Sequence, residues 1–361
     1  MTYGLILAGG KGARLYPLSR VNKPKQFLNI VDNKTLLYNT LDRVSHIIDN
    51  ENLYIVTNKE YKKQVFEESN SFISEDHIIV EPSNKETAVC IALAAIKLLK
   101  KDKDAVMLIF PSDHHIEASD NFYNILNCAI DISNKKRGLV TIGIQAKIPQ
   151  TGYGYIQIGK SIICGEKFSN IDVYKVERFT EKPSYEIAKD FVLDGGYLWN
   201  SGIFCFRADV YLRELEKYLP KIYRGMIEIY KSIDNKDEEL IVNRIYNQLD
   251  GISIDFGIMQ KTRKAYVICG DFYWDDIGSF TSLTKILKQE GENYLKGNVL
   301  LEDSKNCLIF GNDNLIINFG VQDLIIVNTG DVILIMDRKR EQEVKYLFDL
   351  LNSKKEFKDF I

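Results

Sequence analysis

Short apolar runs alternate with helical patterns over residues 1–145, and this alternation restricts the fold more than any other feature of the sequence. Two neighbouring parallel strands need a long crossover connection between them, and that connection is usually a helix. The alternation therefore predicts a mostly parallel sheet with helices on both faces. Ligands of such sheets lie at the carboxyl ends of the strands, so the loops after Leu7, Val80 and Phe110 are expected to face one site. The predicted strands are residues 4–7, 53–57, 78–80, 105–110 and 139–143, and the predicted helices are residues 35–48, 60–69, 85–100 and 121–133.

Three sequence signals mark helix ends. Asp32 and Asn33 are candidate N-caps of the first predicted helix. Ser83 and Glu86 match the S-x-x-E capping box at the start of the third. The Gly195-Gly196 pair is expected to end a later helix, because glycine accepts the left-handed conformation of a helix end.

The pattern becomes mixed between residues 151 and 278. Strands are predicted at residues 154–158, 174–180, 203–206 and 265–268, and helices at residues 185–193, 210–218 and 238–248. No linker rich in proline or serine separates this part from the first. Both parts are therefore assigned to one domain, residues 1–290.

The pattern of apolar residues changes again after Gly297. Apolar clusters then begin eight or nine residues apart, with turn residues between them, at Val299, Leu308, Ile316, Ile325 and Ile333. Regular short strands without helices are typical of a β-solenoid fragment or a small β-sandwich. A final helix is predicted from about Arg340 to Leu351 because its apolar residues share one face. Residues 297–361 are therefore expected to form a small separate β domain.

Charge and cysteine usage exclude several classes of protein. The chain has 47 Lys and Arg against 50 Asp and Glu, a net charge of −3, which argues against a nucleic-acid or membrane-surface partner. No apolar run approaches the ~20 residues of a membrane span. The six cysteines are scattered without a CxxC pair, as expected of thiols in a reducing cytosol. The sequence therefore predicts a cytoplasmic globular protein.

The start of the chain is basic although the whole chain is nearly neutral. The first acidic residue is Asp32, and five basic residues precede it: Lys11, Arg14, Arg20, Lys23 and Lys25. A small basic patch in a nearly neutral protein indicates a small anion as ligand.

The basic residues surround a glycine-rich loop that directly follows the first predicted strand. Gly9, Gly10 and Gly12 let backbone N–H groups turn toward an anion and let the anion approach closely. Arg14 offers a fork for phosphate oxygens and Lys25 a mobile point charge. The alternative interpretation of the glycines is an ordinary tight turn. The spacing matches neither a Walker loop nor a dinucleotide fingerprint, because Gly12 is followed by Ala, Arg and Leu.

Two acidic residues are candidate ligands of Mg²⁺. Asp113 follows a strong predicted strand, and Asp276 lies in a Trp-Asp-Asp-Ile-Gly segment. Magnesium shared with phosphate oxygens usually takes one or two carboxylates. The alternative role of an Asp in such a loop is that of a turn residue or helix cap.

Three further segments have residue types suited to a sugar phosphate. Glu181 and Asn200 offer hydrogen bonds to hydroxyls, Lys182 offers a charge for a phosphate, and Gly154 permits backbone contact with a ring. The alternative interpretation is a β-hairpin with a surface charge pair.

Together these segments resemble the sugar-1-phosphate nucleotidylyltransferases, and within them the bacterial mannose-1-phosphate guanylyltransferases. The start of the chain is similar to the family signature LAGGxGxRLxPLSR…PKQFL, and the resemblance extends from Tyr3 to about Leu350. It implies a Rossmann-like nucleotidyltransferase domain followed by a left-handed β-helix. It also implies that GTP and α-D-mannose 1-phosphate give GDP-mannose and pyrophosphate with the help of Mg²⁺. By analogy with the family, the β domain is a candidate homodimer contact.

The resemblance also implies a role for each candidate residue. Arg14 and Lys25 would hold and activate the phosphates, and Asp113 and Asp276 would bind the metal. The sugar phosphate would lie at Gly154, Glu181, Lys182 and Asn200. The nucleotide would lie at Leu7, Ala8, Gly9, Gly10, Gly12, Glu81, Thr87 and Ser112.

Three positions depart from the family pattern and keep alternatives open. Tyr16 stands where Trp is usual, Glu86 where Asn is usual and Val89 where Pro is usual. Glu86 and Val89 lie near the expected base, so a different base, or a different sugar such as a heptose, is the first alternative. A catalytically silent sensor of sugar nucleotides is the second alternative. Longer family members carry a C-terminal isomerase domain, for which this chain is too short, so a single activity is expected.

Overall fold

The computed structural model describes residues 1–10 and 12–361, so Lys11 of the basic start lies outside the described residues. The chain divides into two compact units. The first unit contains residues 1–9, 40–112 and 116–274, and the second contains residues 10–39, 113–115 and 275–361. The proposed boundary between residues 290 and 297 stays a prediction.

The secondary structure confirms every predicted strand and helix, and the bounds agree to within about four residues except for the strand predicted at residues 203–206, which begins at Tyr197. The strands are β1 Thr2–Ala8, β2 Leu53–Asn58, β3 Ile78–Glu81, β4 Val106–Pro111, β5 His115–Ile116, β6 Leu139–Gln145, β7 Gly154–Ser161, β8 Val173–Glu181, β9 Tyr197–Arg207, β10 Ala265–Gly270, β11 Trp274–Asp275, β12 Lys288–Glu290, β13 Asn293–Lys296, β14 Val299–Glu302, β15 Leu308–Phe310, β16 Ile316–Phe319, β17 Leu324–Asn328 and β18 Ile333–Asp337. The helices are α1 Leu36–Ser45, α2 Lys62–Ser69, α3 Glu86–Lys101, α4 Asp120–Lys136, α5 Tyr185–Asp194, α6 Ala208–Tyr218, α7 Pro220–Ser232, α8 Glu238–Gln248, α9 Phe280–Leu283 and α10 Val344–Ser353. Helices α7 and α9 and the short strands β5, β11, β12 and β13 were not predicted.

A nine-stranded sheet of order β3-β2-β1-β4-β9-β6-β10-β8-β7 forms the first unit. Strands β3, β2, β1 and β4 pair in parallel, as do β6 and β10, whereas β9, β8 and β7 join antiparallel. In the parallel part, Leu7 lies opposite Val56 and Pro111. The ends of β1, β3 and β4 therefore emerge at one edge of the sheet, as predicted.

The core of the first unit forms where α3 packs with the sheet and with α6 and α7. Helix α3 is rich in small and branched apolar residues, and Ala88, Val89, Ile91, Ala92 and Ala95 are fully buried. Small side chains let neighbouring elements approach closely, which explains how a 16-residue helix becomes buried on almost every face. The carboxyl end of β3 and the start of α3 are thereby held rigidly.

The predicted N-caps of α1 are wrong. Thr35 caps this helix, since its Oγ1 accepts a hydrogen bond from the N–H of Tyr38 at 3.1 Å. Asp32 instead closes a turn of its own, accepting from the N–H of Lys34 at 2.7 Å. The short side chain of Asp competes well for a backbone donor two residues on, so it satisfies the loop rather than the helix.

The predicted capping box at the start of α3 is also wrong. The side chain of Asn84, not Ser83, accepts from the N–H of Glu86 at 3.0 Å. Glu86 itself has φ of 61°, in the left-handed region that a residue with a β-carbon avoids. Its neighbour Lys85 accepts from the N–H of Ile252, and the Ile252 carbonyl accepts from Ala88, both at 3.1 Å. These bonds on either side hold Glu86 in its strained conformation.

The second unit contains a small β-helix. Strands β13, β15 and β17 stack in parallel on one side, and β14 and β16 stack in parallel on the other. Leu308 lies opposite Ile325 and Val299 opposite Ile316, so one coil takes 17 residues and holds two strands. The rhythm of eight and nine residues is half a coil. Of the two predicted alternatives, the solenoid is confirmed.

Residues 10–39 belong to the same compact unit as this β-helix. Tyr16 packs edge-on against Phe348 of α10, with ring centroids 6.0 Å apart. Arg20 forms an ion pair with Asp331 at 2.5 Å, and the ammonium of Lys296 donates to the Ile30 carbonyl at 3.0 Å. The segment that carries the basic loop is therefore anchored by both apolar and charged contacts. Within the described part of the chain, no helix is both long enough and apolar enough to cross a membrane.

Replacing Glu86 by Asn is expected to raise the free energy of unfolding by roughly 0.5–1 kcal/mol, because Asn tolerates left-handed backbone better than Glu. Thermal unfolding followed by circular dichroism measures this as a rise in Tm of about 1–3 °C. Glu86→Ala is the matched control, since it removes the carboxylate but lacks the short polar side chain by which Asn tolerates left-handed backbone. Equal stabilisation by both variants would contradict the explanation.

Candidate active site

A buried lysine joins the two candidate metal ligands in the second unit. Lys25 begins a 3-10 turn after Pro24, and its side chain is only 8% exposed. Its ammonium donates to Oδ2 of Asp113 at 2.9 Å and also to the backbone carbonyl of Asp276. Burying an ammonium costs several kcal/mol unless it is paired and hydrogen-bonded, and these two acceptors supply both. The structure therefore brings together Lys25, Asp113 and Asp276.

The carboxylate of Asp113 is kept ionised by its neighbours. Burial alone would raise its pKa, but the charges of Lys25 and His114 outweigh that effect and hold the pKa below its usual range. An ionised carboxylate is the form that binds a divalent cation. Asp113 can therefore serve as a metal ligand across the physiological pH range.

The loop around Asp276 is rigid. Oδ1 of Asp276 accepts from the N–H of Gly278 at 3.0 Å, and Oδ1 of Asp275 accepts from the N–H of Ile277 at 2.8 Å. Asp275 is itself buried and paired with Lys285 at 2.5 Å. These turns hold the Asp276 carbonyl against the ammonium of Lys25.

Gly12 is required by both its backbone and its surroundings. Its φ of 65° is left-handed, and a β-carbon there would lie 2.5 Å from Cβ of Lys25. The hydroxyl of Ser19 donates to the Gly12 carbonyl at 2.5 Å, which locks the loop in this position. The predicted glycine loop therefore packs directly against the predicted catalytic lysine.

Arg14 differs from Lys25 in its exposure. It lies in a 3-10 turn, Ala13–Leu15, and its side chain points to solvent. Among residues 1–10 and 12–361 its guanidinium has no hydrogen-bond or ion-pair partner, so its donors remain available for an anion.

At the end of β1 in the first unit, the carbonyl groups are used by the protein. Leu7 accepts from the N–H of Ser112 at 3.1 Å, Ala8 from the hydroxyl of Thr57 at 2.8 Å, and Gly9 from Asn58 at 3.2 Å. These bonds fix the direction of the peptide groups that lead into the glycine loop. A phosphate that approaches this backbone would have to bind N–H groups, the polarity that an anion requires.

Glu81 and Thr87, both predicted at the nucleotide, lie at the end of β3 and the start of α3. Glu81 is 3% exposed and accepts from the hydroxyl of Tyr246 at 3.1 Å. Burial raises its pKa to about 7, although hydrogen bonds from Tyr246 and Cys90 oppose the shift. The hydroxyl oxygen of Thr87 accepts from the N–H of Ile254 at 2.9 Å.

The four candidate sugar-phosphate residues meet on the strands β7, β8 and β9. Gly154 lies opposite Glu181, and a β-carbon at Gly154 would lie 2.4 Å from Oε2 of Glu181. The ammonium of Lys182 pairs with Oε1 of Glu181 at 3.1 Å. Asn200 donates from Nδ2 to Oδ1 of Asp255 at 3.0 Å. The structure therefore brings these four residues together, and their role at a sugar phosphate stays a prediction.

Asp255 is the residue of this cluster to which sequence reasoning assigned no role. It was visible only as part of a Ser-Ile-Asp motif in the family resemblance. Its pKa is raised to about 7 by burial and by the nearby carboxylate of Glu181, while Lys182 and Asn200 oppose the shift. Two carboxyl groups so close together are uncommon and are typical of a functional site.

Comparisons with known proteins agree with this architecture. The family model described as Nucleotidyl transferase matches residues 3–293, and the one described as MannoseP isomerase/GMP-like beta-helix domain matches residues 297–351. A mannose-1-phosphate guanylyltransferase of Escherichia coli is 36% identical over 99% of this chain and 76% of its own length. The alginate biosynthesis protein AlgA of Pseudomonas aeruginosa is 37% identical over 95% of this chain and 70% of its own.

Two solved structures are also similar to this chain. A Thermus thermophilus protein described as mannose-1-phosphate geranyltransferase has a TM-score of 0.83 at 28% identity, covering 97% of this chain and 99% of its own. A Helicobacter pylori protein described as mannose-6-phosphate isomerase has a TM-score of 0.61 at 29% identity. The match covers 76% of this chain and 99% of the Helicobacter pylori chain. The fold and the site define an enzyme that transfers nucleotidyl groups. The chain belongs to the nucleotidyl transferase family and carries that family's β-helix after the catalytic part.

Replacing Gly12 by Ala is expected to destabilise the protein by at least about 1 kcal/mol, because left-handed backbone strains any residue with a β-carbon. The contact with Lys25 adds to this cost. Chemical unfolding measures the loss. Gly10→Ala is the matched control, since a β-carbon there would meet nothing within 4 Å in the described part of the chain. Equal stability of the two alanine variants would show that residue 12 tolerates a β-carbon.

Proposed function

We propose that the protein transfers GMP from GTP to α-D-mannose 1-phosphate, giving GDP-mannose and pyrophosphate. Membership of the nucleotidyl transferase family supports the reaction class, and the names of the guanylyltransferase relatives support this base and sugar. The observation that carries the proposal is the ammonium of Lys25, which contacts Asp113 and Asp276 next to a glycine loop. That arrangement suits phosphate groups and a divalent cation.

The proposed reaction is a direct in-line displacement. A phosphate oxygen of the sugar 1-phosphate attacks the α-phosphorus of GTP, the bond from that phosphorus to the bridging oxygen breaks, and pyrophosphate leaves. The nucleophile is already an anion, so the reaction needs no general base. The barrier arises from bringing two anions together and from charge on the leaving group. Arg14, Lys25 and Lys182 would lower this barrier by positioning the phosphates and by electrostatic stabilisation.

A divalent cation fits the carboxylates of Asp113 and Asp276. Both offer hard oxygen donors, and Asp113 is ionised because of its cationic neighbours. We assign this cation as Mg²⁺, which would neutralise charge on the phosphates when bound. The two carboxylates match the small number of protein ligands that Mg²⁺ takes when phosphates complete its coordination.

The base and the sugar are tested by one assay. Pyrophosphate release is measured with each of four nucleoside triphosphates against mannose 1-phosphate, and then with GTP against several hexose and heptose 1-phosphates. The proposal expects the highest kcat/KM with GTP and mannose 1-phosphate. Faster turnover with another pair would replace the substrates while keeping the reaction class.

Lys25→Ala and Asp113→Asn are each expected to lower kcat by about a hundredfold or more, since one electrostatic contact to a transition state is worth about 3 kcal/mol. The measurement is steady-state pyrophosphate release with Mg²⁺, and Lys23→Ala is the control because Lys23 is an exposed cation on the same segment. Circular dichroism establishes that each variant is folded. A folded Lys25 or Asp113 variant with near-normal kcat would refute the role assigned to that residue.

A homodimer and a cytoplasmic location complete the proposed function. The β-helix exposes apolar side chains on β14 and β16, where Leu300 is 52%, Ile317 62% and Phe319 70% exposed, and such a patch suits contact with a second copy. All six cysteines are free thiols, as in a reducing compartment. Analytical ultracentrifugation of the wild type and of Phe319→Lys tests the dimer, which the added charge should dissociate.

A further inference from the structure

The segment that carries Asp255 is fixed by the start of α3. Ile252 exchanges two backbone hydrogen bonds with Lys85 and Ala88, both at 3.1 Å. Gly251 approaches so closely that a β-carbon there would lie 3.2 Å from the Lys85 carbonyl. Just after this segment, Asp255 begins a single π-helical turn, Asp255–Met259, of which Ile258 and Met259 are buried. The carboxylate of Asp255 therefore has a defined position.

Asp255 completes the set of bonds that orients Asn200. Oδ1 of Asn200 accepts from the hydroxyl of Thr141 at 2.9 Å and from the N–H of Gly202 at 3.3 Å. Its Nδ2 donates to Oδ1 of Asp255 at 3.0 Å. An amide nitrogen carries two hydrogens, and within residues 1–10 and 12–361 the second has no acceptor. Asn200 thus has one N–H in a fixed direction for a ligand.

Glu181 provides a matching acceptor. Its side chain is 8% exposed, and Oε1 pairs with the ammonium of Lys182. Oε2 is buried and has no hydrogen-bond partner in the described part of the chain. A buried acceptor without a partner costs about 1–3 kcal/mol, so the carboxylate of Glu181 is only partly satisfied within the described residues.

The charged and titratable groups around Asp255 come from three elements. Glu181 and Lys182 face it from β8 and the residue that follows, Asn200 faces it from β9, and Tyr211 faces it from α6. Burial and the charge of Glu181 raise the pKa of Asp255 to about 7. Near neutral pH Asp255 is therefore close to half-protonated.

We infer that Asp255 is a positioning residue for the sugar phosphate: it holds Asn200 so that the amide N–H and the carboxylate of Glu181 offer one donor and one acceptor to hydroxyl groups of the sugar ring. The inference rests on the proposed function and names the part of the substrate that this cluster recognises. Asp255 acts through Asn200 and makes no bond to the reacting atoms.

The test compares two variants with opposite effects on the hydrogen bond. Asp255→Ala removes the acceptor for Asn200 and is expected to raise KM for mannose 1-phosphate at least about tenfold, the size of one lost hydrogen bond to a charged group. KM for GTP should change less than about twofold, since the bonds between Ile252 and α3 involve backbone only. Asp255→Asn keeps an oxygen acceptor and is expected to restore KM to within about threefold of the wild type.

The pH profile adds a readout that a purely structural role would not move. As pH rises from 6 to 8 the wild-type residue ionises and becomes a stronger, charged acceptor for the Asn200 amide, which fixes Asn200 more firmly and lowers KM. Asp255→Asn cannot ionise, so the ratio of its KM to the wild-type KM should rise over this range. The ionisation of the substrate itself cancels in that ratio.

Asp250→Ala is the matched control, because Asp250 is an exposed aspartate in the same connection and its side chain is 94% exposed. Thermal unfolding measures the folding of every variant, and if Asp255→Ala does not fold, the Asn variant and its pH profile decide alone. An unchanged sugar-phosphate KM in folded Asp255→Ala, an equal rise in KM for GTP, or a constant KM ratio across pH overturns the inference. Wild-type protein that releases no pyrophosphate with any sugar 1-phosphate overturns the proposed function instead, and the inference with it.

Discussion

The buried ammonium of Lys25 is the interaction on which the proposed phosphate and metal centre depends. An unpaired cation at 8% exposure would be strongly unfavourable, so its two acceptors are as necessary to the fold as to the chemistry. Asp113 and the Asp276 carbonyl come from segments that are far apart in sequence, and Lys25 draws both to one point. Gly12 belongs to the same arrangement because only a glycine leaves room for Lys25. The same contacts of Lys25 therefore stabilise the fold and set the charges of the proposed centre.

A different principle governs the proposed sugar-phosphate cluster of the first unit. Its carboxyl groups, Glu181 and Asp255, outnumber its one ammonium, that of Lys182, and within the described residues Oε2 of Glu181 is buried without a hydrogen-bond partner. A buried acceptor without a partner is unfavourable by itself. In the proposed phosphate centre of the second unit, the carboxylate of Asp113 is instead paired with the ammonium of Lys25. The two groups of residues therefore differ in how far their polar atoms are satisfied within the protein.

Much of this could be predicted from the sequence, because the relevant signals are local. Strand and helix positions followed from periodicity, and the repeated spacing after Gly297 followed from a coil that takes 17 residues and holds two strands. Helices α7 and α9 were missed. The predicted N-caps of α1 and α3 were wrong because several polar side chains near each start compete for the same donors. The left-handed backbone of Glu86 had no sequence signal, since it is imposed by bonds to Ile252 on either side.

The sequence by itself determined the alternating architecture, the basic glycine loop and the residue types suited to phosphates, a cation and hydroxyl groups. These depend on periodicity and on chemistry that each residue carries wherever it lies. Only the tertiary structure decided which of these residues meet: Lys25 with Asp113 and Asp276, and Asn200 with Asp255. It also decided the protonation of Asp255, because a pKa depends on burial and on neighbouring charges that are distant along the chain.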